Sequence, residues 1–139
     1  MMRRFEIDSG DGKKAIFDSY HISDDPYSNT YRLSFESPNM NATIEVSDLN
    51  VHGSLPNYLV RLVTASQKGF KGIKSWHSSE GEFSIESSML NTGHVKMRIQ
   101  MNVHRFPGDW VAIVEFIIEP ERLKSIAREA KAFFERKFS

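Results

Sequence analysis

The run from Val95 to His104 constrains the fold most, because apolar and polar residues alternate along it without interruption. The apolar positions are Val95, Met97, Ile99, Met101 and Val103, and the polar ones are Lys96, Arg98, Gln100, Asn102 and His104. Side chains of a β-strand point alternately to the two faces of its sheet. The run therefore predicts a strand with one buried and one polar face, which is typical of antiparallel sheets.

Seven further runs have the same extended character and are separated by turn residues. They are Phe5–Ile7, Ala15–Ile22, Tyr31–Phe35, Ala42–Val46, Gly72–His77, Phe83–Met89 and Trp110–Ile118. The segment Ser9–Gly12 lacks the helix start and the lysine of a phosphate-binding loop, so it predicts a hairpin turn. Together these runs predict about eight strands.

Two segments have helical spacing instead. Ser54 is a suitable N-cap, Pro56 is tolerated in the first turn, and Gly69 is a suitable stop, which predicts a helix over Ser54–Gln67. Pro120 begins a second helix. The apolar stripes are Leu55, Leu59, Leu62 and Val63 in the first helix, and Leu123, Ile126, Ala127, Ala130, Phe133 and Phe134 in the second.

The predicted order is ββββ-α-ββββ-α within a single domain over residues 1–139. Clustered hairpins followed by helices favour an α+β fold, in which a mostly antiparallel, curved sheet carries both helices. A half-barrel and a two-sheet sandwich with peripheral helices are the alternatives. The two halves share no obvious residue pattern that would indicate a duplication.

The segment Trp110–Ile118 differs from the other strands because it is apolar at eight of nine positions. A strand that is apolar on both faces is usually covered on both sides. The sequence therefore predicts that this strand is central in its sheet, or that its second face meets another subunit in a homodimer. It also predicts that Trp110 lies in the core; for Trp76 the core is favoured, with exposure at a contact surface as the alternative.

Composition excludes several classes of function. The chain has no cysteine, and its 18 basic residues balance its 18 acidic ones. The charge is −2 before Gly69 and +2 from there on, which is too even to indicate nucleic-acid binding. There is no signal-peptide pattern at the N-terminus and no apolar run of about 18 residues. We expect a cytoplasmic protein with no cofactor and no contact with nucleic acid or membrane.

The candidate chemistry is weak. His94 and His104 lie on one strand face about 33 Å apart and cannot share a metal ion. His77 and Glu80 could form a site with His94, but turn-stabilising and surface roles are favoured. Ser78 and Ser79 follow His77 without the Gly-x-Ser-x-Gly context of a hydrolase. The sequence therefore predicts neither a metal site nor an enzyme.

Four short motifs carry a family resemblance. Gly69-Phe70-Lys71-Gly72, Trp76, Ser79-Glu80-Gly81 and Gly93-His94-Val95 occur in this order. The pattern resembles an uncharacterised bacterial family with Gly-Trp-x-Gly, Trp, Ser-x-Glu-Gly and Gly-His-Val, except that Phe70 replaces the first Trp. The resemblance covers Ser54 to Phe134 and implies a fold, with no chemistry. In its small size and its α+β character the chain is also similar to small toxin-immunity proteins.

Two functional hypotheses follow. The first is a non-enzymatic protein-binding module, with an immunity-type protein as its specific form, whose partner surface comprises Trp76, His77, Glu80, Glu86, His94, Lys96 and Arg98. A register that pairs Phe83 and Ile85 with Ile99 and Met101 would place Glu86 opposite Lys96 or Arg98. The second is a protein that binds a small apolar ligand between the sheet and the helices, in a pocket lined by Phe83, Met97, Met101 and Phe116.

Overall fold

The chain folds into eight strands and two helices in the predicted order. The computed structural model describes residues 3–25, 29–49, 53–105 and 108–135. The strands are β1 (Arg4–Asp8), β2 (Lys14–His21), β3 (Thr30–Ser37), β4 (Met40–Ser47), β5 (Lys74–His77), β6 (Phe83–Met89), β7 (Val95–Arg105) and β8 (Gly108–Ile118). The helices are α1 (Leu55–Lys68) and α2 (Pro120–Phe134).

The strands form two antiparallel sheets of four. One sheet has the order β1-β2-β3-β4 and the other β5-β6-β7-β8, so each sheet is built in sequence order and is followed by a helix. The α+β prediction is confirmed, with the eight strands divided between two sheets. Across the described ranges, neither helix has the length and hydrophobicity needed to cross a lipid bilayer.

The predicted register of the second sheet is also confirmed. Phe83 pairs with Met101, and Ile85 pairs with Ile99. Glu86 consequently lies opposite Arg98. The pairing holds because a shift by one residue would move every apolar side chain of β7 from the core into water.

The ends of α1 follow from its local sequence. The Ser54 hydroxyl accepts a hydrogen bond from the backbone N–H of Asn57 at 3.2 Å, as an N-cap does. Gly69 ends the helix with a φ of 82°, a value that favours glycine, and its N–H donates to the carbonyl of Ser66. The helix is therefore fixed at both ends by the residues that the sequence singled out.

A single buried core joins the two ββββα halves. Helix α2 packs on β1 of the first sheet, whereas α1 packs near β5 of the second, so each helix contacts the sheet of the other half. Aromatic rings also make contacts between the two halves. Phe17 in β2 lies 5.7 Å from Phe83 in β6, and Phe5 in β1 lies 5.3 Å from Phe133 in α2. These residues all belong to one continuous cluster of buried side chains, or pack against it.

Strand β8 differs from its prediction. It is an edge strand, and only its inner residues Ala112, Val114, Phe116 and Ile118 are buried. Both helices contribute to the core on the inner side, and the outer face carries no second layer in the described part of the chain. The alternative of a central strand was therefore wrong, and the alternative of a homodimer contact on the second face stays a prediction.

Trp110 was also predicted to lie in the core, and it is 41% exposed instead. The alternation of side chains along β8 would direct the Trp110 ring inward. However, Trp110 pairs with Val103 close to the end of the β7–β8 hairpin, where the core ends. The prediction for Trp76 is confirmed. Trp76 is buried in β5, and its indole N–H donates to the carbonyl of Gly53 at 2.9 Å.

Candidate protein-binding surface

Charged side chains form a row across the outer face of the second sheet. Glu86 in β6, Arg98 in β7 and Glu115 in β8 are directly paired in register, so their signs alternate across three strands. Lys96 adds an ion pair with Glu115 at 3.7 Å. All four side chains are at least partly exposed, so these pairs contribute little to stability. Their charges remain available to a partner.

Aliphatic side chains flank this row. Val111, Ile113 and Ile117 project from the outer face of β8, and we call these three residues the β8 stripe. They are between 40% and 55% exposed, and by the strand rise they extend over about 20 Å. Ile73, just before β5, is 67% exposed. Large aliphatic groups in water are individually ordinary, but a cluster beside ordered charges is typical of interaction surfaces.

A shallow depression connects the charges with Ile73. It has a volume of about 130 Å³ and is lined by Ile73, Glu86, Ser87, Ser88, Lys96, Arg98 and Glu115. We define the outer face as this depression together with the β8 stripe. Because both charged and aliphatic side chains line it, the outer face is suited to the mixed chemistry of another protein surface.

Three of the predicted partner residues belong to this outer face, namely Glu86, Lys96 and Arg98. Trp76 does not, because its side chain faces the core. His77 and Glu80 are exposed near one end of the β5–β6 hairpin, and the His77 ring lies against the carbonyl of Ser78.

His94 lies at the opposite end of β6 from His77. His77 pairs with Ser84, and the carbonyl of His94 accepts a hydrogen bond from the N–H of Leu90. By the strand rise, Ser84 and Leu90 are about 20 Å apart, and so are the two histidines along the direction of β6. The structure therefore does not bring His77, Glu80 and His94 together. Among the residues whose placement is described, no three His, Asp or Glu side chains are arranged to hold a metal ion.

His94 instead lines the cleft where β1, β8 and α2 meet. This cleft has a volume of about 560 Å³, and its lining includes the ion pair of Arg122 with Asp8 at 3.1 Å and that of Lys13 with Asp11 in the β1–β2 turn at 3.2 Å. Arg122 also donates to the carbonyl of Glu6. The Arg122 contacts join α2 to β1, and Lys13 joins the β1–β2 turn to β8 by donating to the carbonyl of Glu115, which gives the cleft a structural role.

The predicted ligand-pocket residues fill the centre of the core. Phe83, Met97, Met101 and Phe116 are all fully buried in the shared cluster. The ring of Phe83, for example, contacts the rings of Phe17 and Trp76, with distances between ring centroids of 5.7 and 5.3 Å. An apolar ligand at this position would have to displace side chains that join the two halves.

Sequence reasoning missed the β8 stripe and Ile73. A continuous apolar run hides the period of two, so the segment gave no sign that one face was exposed. The available signal was Glu115, whose charge marks the solvent side and assigns every odd-numbered neighbour in the strand to it.

Comparison of the chain with curated proteins and with solved structures gave no match in either case. A family model does match, over residues 7–137, and its description is a family of unknown function, DUF6228. This range includes the first sheet from residue 7 onward, which the motifs did not cover, as well as the four motifs themselves. The chain therefore belongs to the DUF6228 family of unknown function.

Proposed function

We propose that this protein is a non-enzymatic binding module that recognises another folded protein through the outer face of its second sheet. The observation that carries the proposal is the group of exposed aliphatic side chains, Ile73 and the β8 stripe, around the Glu86–Arg98–Glu115 row. Burial of such aliphatic groups drives association, at roughly 25 cal/mol per Å² of apolar surface.

The charges restrict the kind of partner. Two cations, Lys96 and Arg98, alternate with two anions, Glu86 and Glu115, so the outer face has no net charge. A polyanion or an anionic membrane would be repelled by half of these groups. A folded protein with an apolar ridge and charges in the reverse order would match all of them, which gives specificity through complementary pairs.

The biological setting is part of the proposal. A cysteine-free α+β chain of this size is compatible with the bacterial cytoplasm and with an immunity-type role. In that role the outer face would cover the surface that a toxin uses against its target. A second copy of the chain is the competing occupant of the same face.

The test is affinity purification of the tagged protein from its own cells, followed by reconstitution with the purified partner. Arg98→Glu and Ile117→Asp should each weaken binding at least tenfold, because one reverses a central charge and the other breaks the β8 stripe. Glu36→Arg, an exposed change on the first sheet, should leave binding unchanged. All three variants should keep the wild-type thermal transition.

Several outcomes decide between the alternatives. Binding that survives both outer-face changes would overturn the assignment of the surface. Copurification of a small molecule alone, detected by native mass spectrometry, would overturn the protein-binding function in favour of an apolar ligand. Light scattering that shows a dimer, dissociated by Arg98→Glu and Ile117→Asp, would keep the surface and identify the partner as a second copy.

A further inference from the structure

A second candidate surface lies on the helices, across the core from the outer face. A groove of about 390 Å³ runs along the seam between α1 and α2. Its lining residues are Val60, Val63, Thr64 and Gln67 from α1, and Lys124, Ala127, Arg128 and Lys131 from α2. Each helix contributes the same i, i+3, i+4, i+7 pattern, so the groove is two helical turns long, about 10 Å.

The floor and the rim of this groove differ in chemistry. Val63 and Ala127 lie at the floor, and Val60 adds an aliphatic side chain that is 45% exposed. On the α2 side the rim consists of Lys124, Arg128 and Lys131, and on the α1 side of uncharged polar groups. None of the described residues that line it is acidic. The groove therefore combines an apolar floor with a one-sided basic rim.

The charge of the helices extends this asymmetry. Helix α1 has two basic and no acidic residues, and α2 has four basic and two acidic residues, which gives the pair a charge of +4. The whole chain is neutral, so the remainder carries −4. The positive potential is thus concentrated in the layer that contains the groove and is not a property of the molecule as a whole.

We propose that this groove binds an acidic amphipathic helix of a partner protein. Two turns of such a helix would place aliphatic side chains at i, i+3 or i+4, and i+7 over Val60, Val63 and Ala127. Its acidic residues on one flank would meet Lys124, Arg128 and Lys131. The opposite flank would lie along Thr64 and Gln67 and would need no charge.

A helix fits these features better than the other ligands of basic surfaces. Nucleic acid would place phosphates and sugars over an aliphatic floor, and the residues that line the groove include no aromatic ring on which a base could stack. A bilayer is met by apolar side chains that protrude, whereas here the apolar groups lie below a charged rim. An amphipathic helix satisfies both the floor and the rim.

The experiment is a selection from a display library of 16-residue peptides, randomised at all positions, against the full-length protein. The variant Lys124→Glu/Arg128→Glu/Lys131→Glu takes no part in the selection and is used afterwards to measure the affinity of the enriched peptides. We expect enriched peptides with aliphatic residues at helical spacing and an excess of Asp and Glu on one flank. Their affinity should fall at least tenfold in the triple variant and should decrease as salt increases.

The controls separate the groove from general positive charge. Arg61→Glu, on an exposed part of α1 outside the groove, should change the affinity less than twofold, and Val60→Asp should abolish binding. Circular dichroism of each variant should match the wild type. Enrichment without an acidic bias, or peptides that bind the triple variant equally well, would overturn the proposal.

A 20-nucleotide oligothymidine and vesicles of phosphatidylcholine with phosphatidylglycerol serve as competing probes. Tighter binding of either probe, lost in the triple variant but kept in Val60→Asp, would also overturn the proposal. That result would assign the basic rim to phosphate groups. Failure of this test would leave the outer face unaffected, because none of these variants alters a residue of the second sheet.

Discussion

At the scale of single residues, Tyr58 carries the most informative polar contact in the core. Its hydroxyl donates to the backbone carbonyl of Lys74 at 3.0 Å and lies 2.7 Å from the hydroxyl of Ser87. Both side chains are buried, Tyr58 in α1 and Ser87 in β6. This contact attaches the helix of the first half to the sheet of the second.

We expect Tyr58→Phe to lower the free energy of unfolding by about 1–2 kcal/mol, because it leaves the buried Ser87 hydroxyl without its partner. Ser87→Ala in the Tyr58→Phe background should cost little more, since the stranded hydroxyl is then removed. Urea denaturation of the two single variants and the double variant gives the coupling energy. Strictly additive effects would show that the hydroxyl pair contributes nothing to stability.

The same residue predicts how stability changes in alkali. Burial raises the pKa of Tyr58 from its usual value of 10.0 to about 12, with a smaller contribution from the negative charge of Glu86. Because the folded pKa lies above the unfolded one, the contribution to stability is complete below pH 10 and is lost as the pH rises to about 12. The slope approaches about 1.4 kcal/mol per pH unit for this one group.

Burial also raises the pKa of Tyr31, which adds to the alkaline loss in the same direction. Tyr58→Phe should therefore make the decline above pH 10 shallower without removing it. Thermal melts between pH 8 and pH 12, recorded for both proteins, measure the difference. An identical decline in the two proteins would show that Tyr58 does not titrate abnormally.

At the scale of elements, the number, type and order of strands and helices could be predicted from the sequence. Alternation in Val95–His104 and the cap at Ser54 are local signals, and the structure confirms both. The position of β8 in its sheet could not be predicted, because a uniformly apolar strand is compatible with a centre, an edge or an interface. Only the placement of the helices determines which face of β8 is covered.

Because β8 is an edge strand, its backbone requires protection from pairing with other chains. The ammonium group of Lys13, in the β1–β2 turn, donates to the carbonyl of Glu115 at 2.7 Å and lies 5.9 Å from the centre of the Phe116 ring. A lysine at this position occupies a backbone acceptor and places a charge beside the edge. We infer that Lys13 limits edge-to-edge association.

Lys13→Ala should increase concentration-dependent association several-fold in static light scattering. Its free energy of unfolding should change by less than about 1 kcal/mol, because the lost ion pair with Asp11 is exposed. Lys14→Ala is the matched control, since this neighbouring lysine pairs with Glu6 on the first sheet instead. Equal association of the two variants would show that net charge, and not the covered edge, is responsible.

At the scale of the whole molecule, the net charges of the two halves of the sequence do not show how charge is distributed in the folded protein. Dividing the chain at Gly69 gives −2 and +2, because α1 is counted with the acidic first half and α2 with the second. Folding brings the two helices together, and their combined charge of +4 then lies on one layer. Charge counted by element would have indicated the basic groove, whereas charge counted by half could not.

The exchange of helices between the halves predicts that the molecule unfolds as one unit. Phe133 belongs to α2, yet its ring packs against Phe5 at 5.3 Å and Tyr20 at 5.5 Å in the first sheet. Phe133→Ala should therefore destabilise the protein by about 3–5 kcal/mol. The loss should reach both sheets, because the buried side chains of both halves form a single cluster.

Hydrogen exchange can test this directly at the amides of β3 and β7, which are one inner strand from each sheet. Under conditions where exchange reports global opening, Phe133→Ala should lower protection by the same free energy in both strands. Val60→Ala, an exposed change on α1, should alter neither by more than about 0.5 kcal/mol. Loss of protection in β3 alone would mean that the second sheet folds independently and that the ββββα halves are separable units.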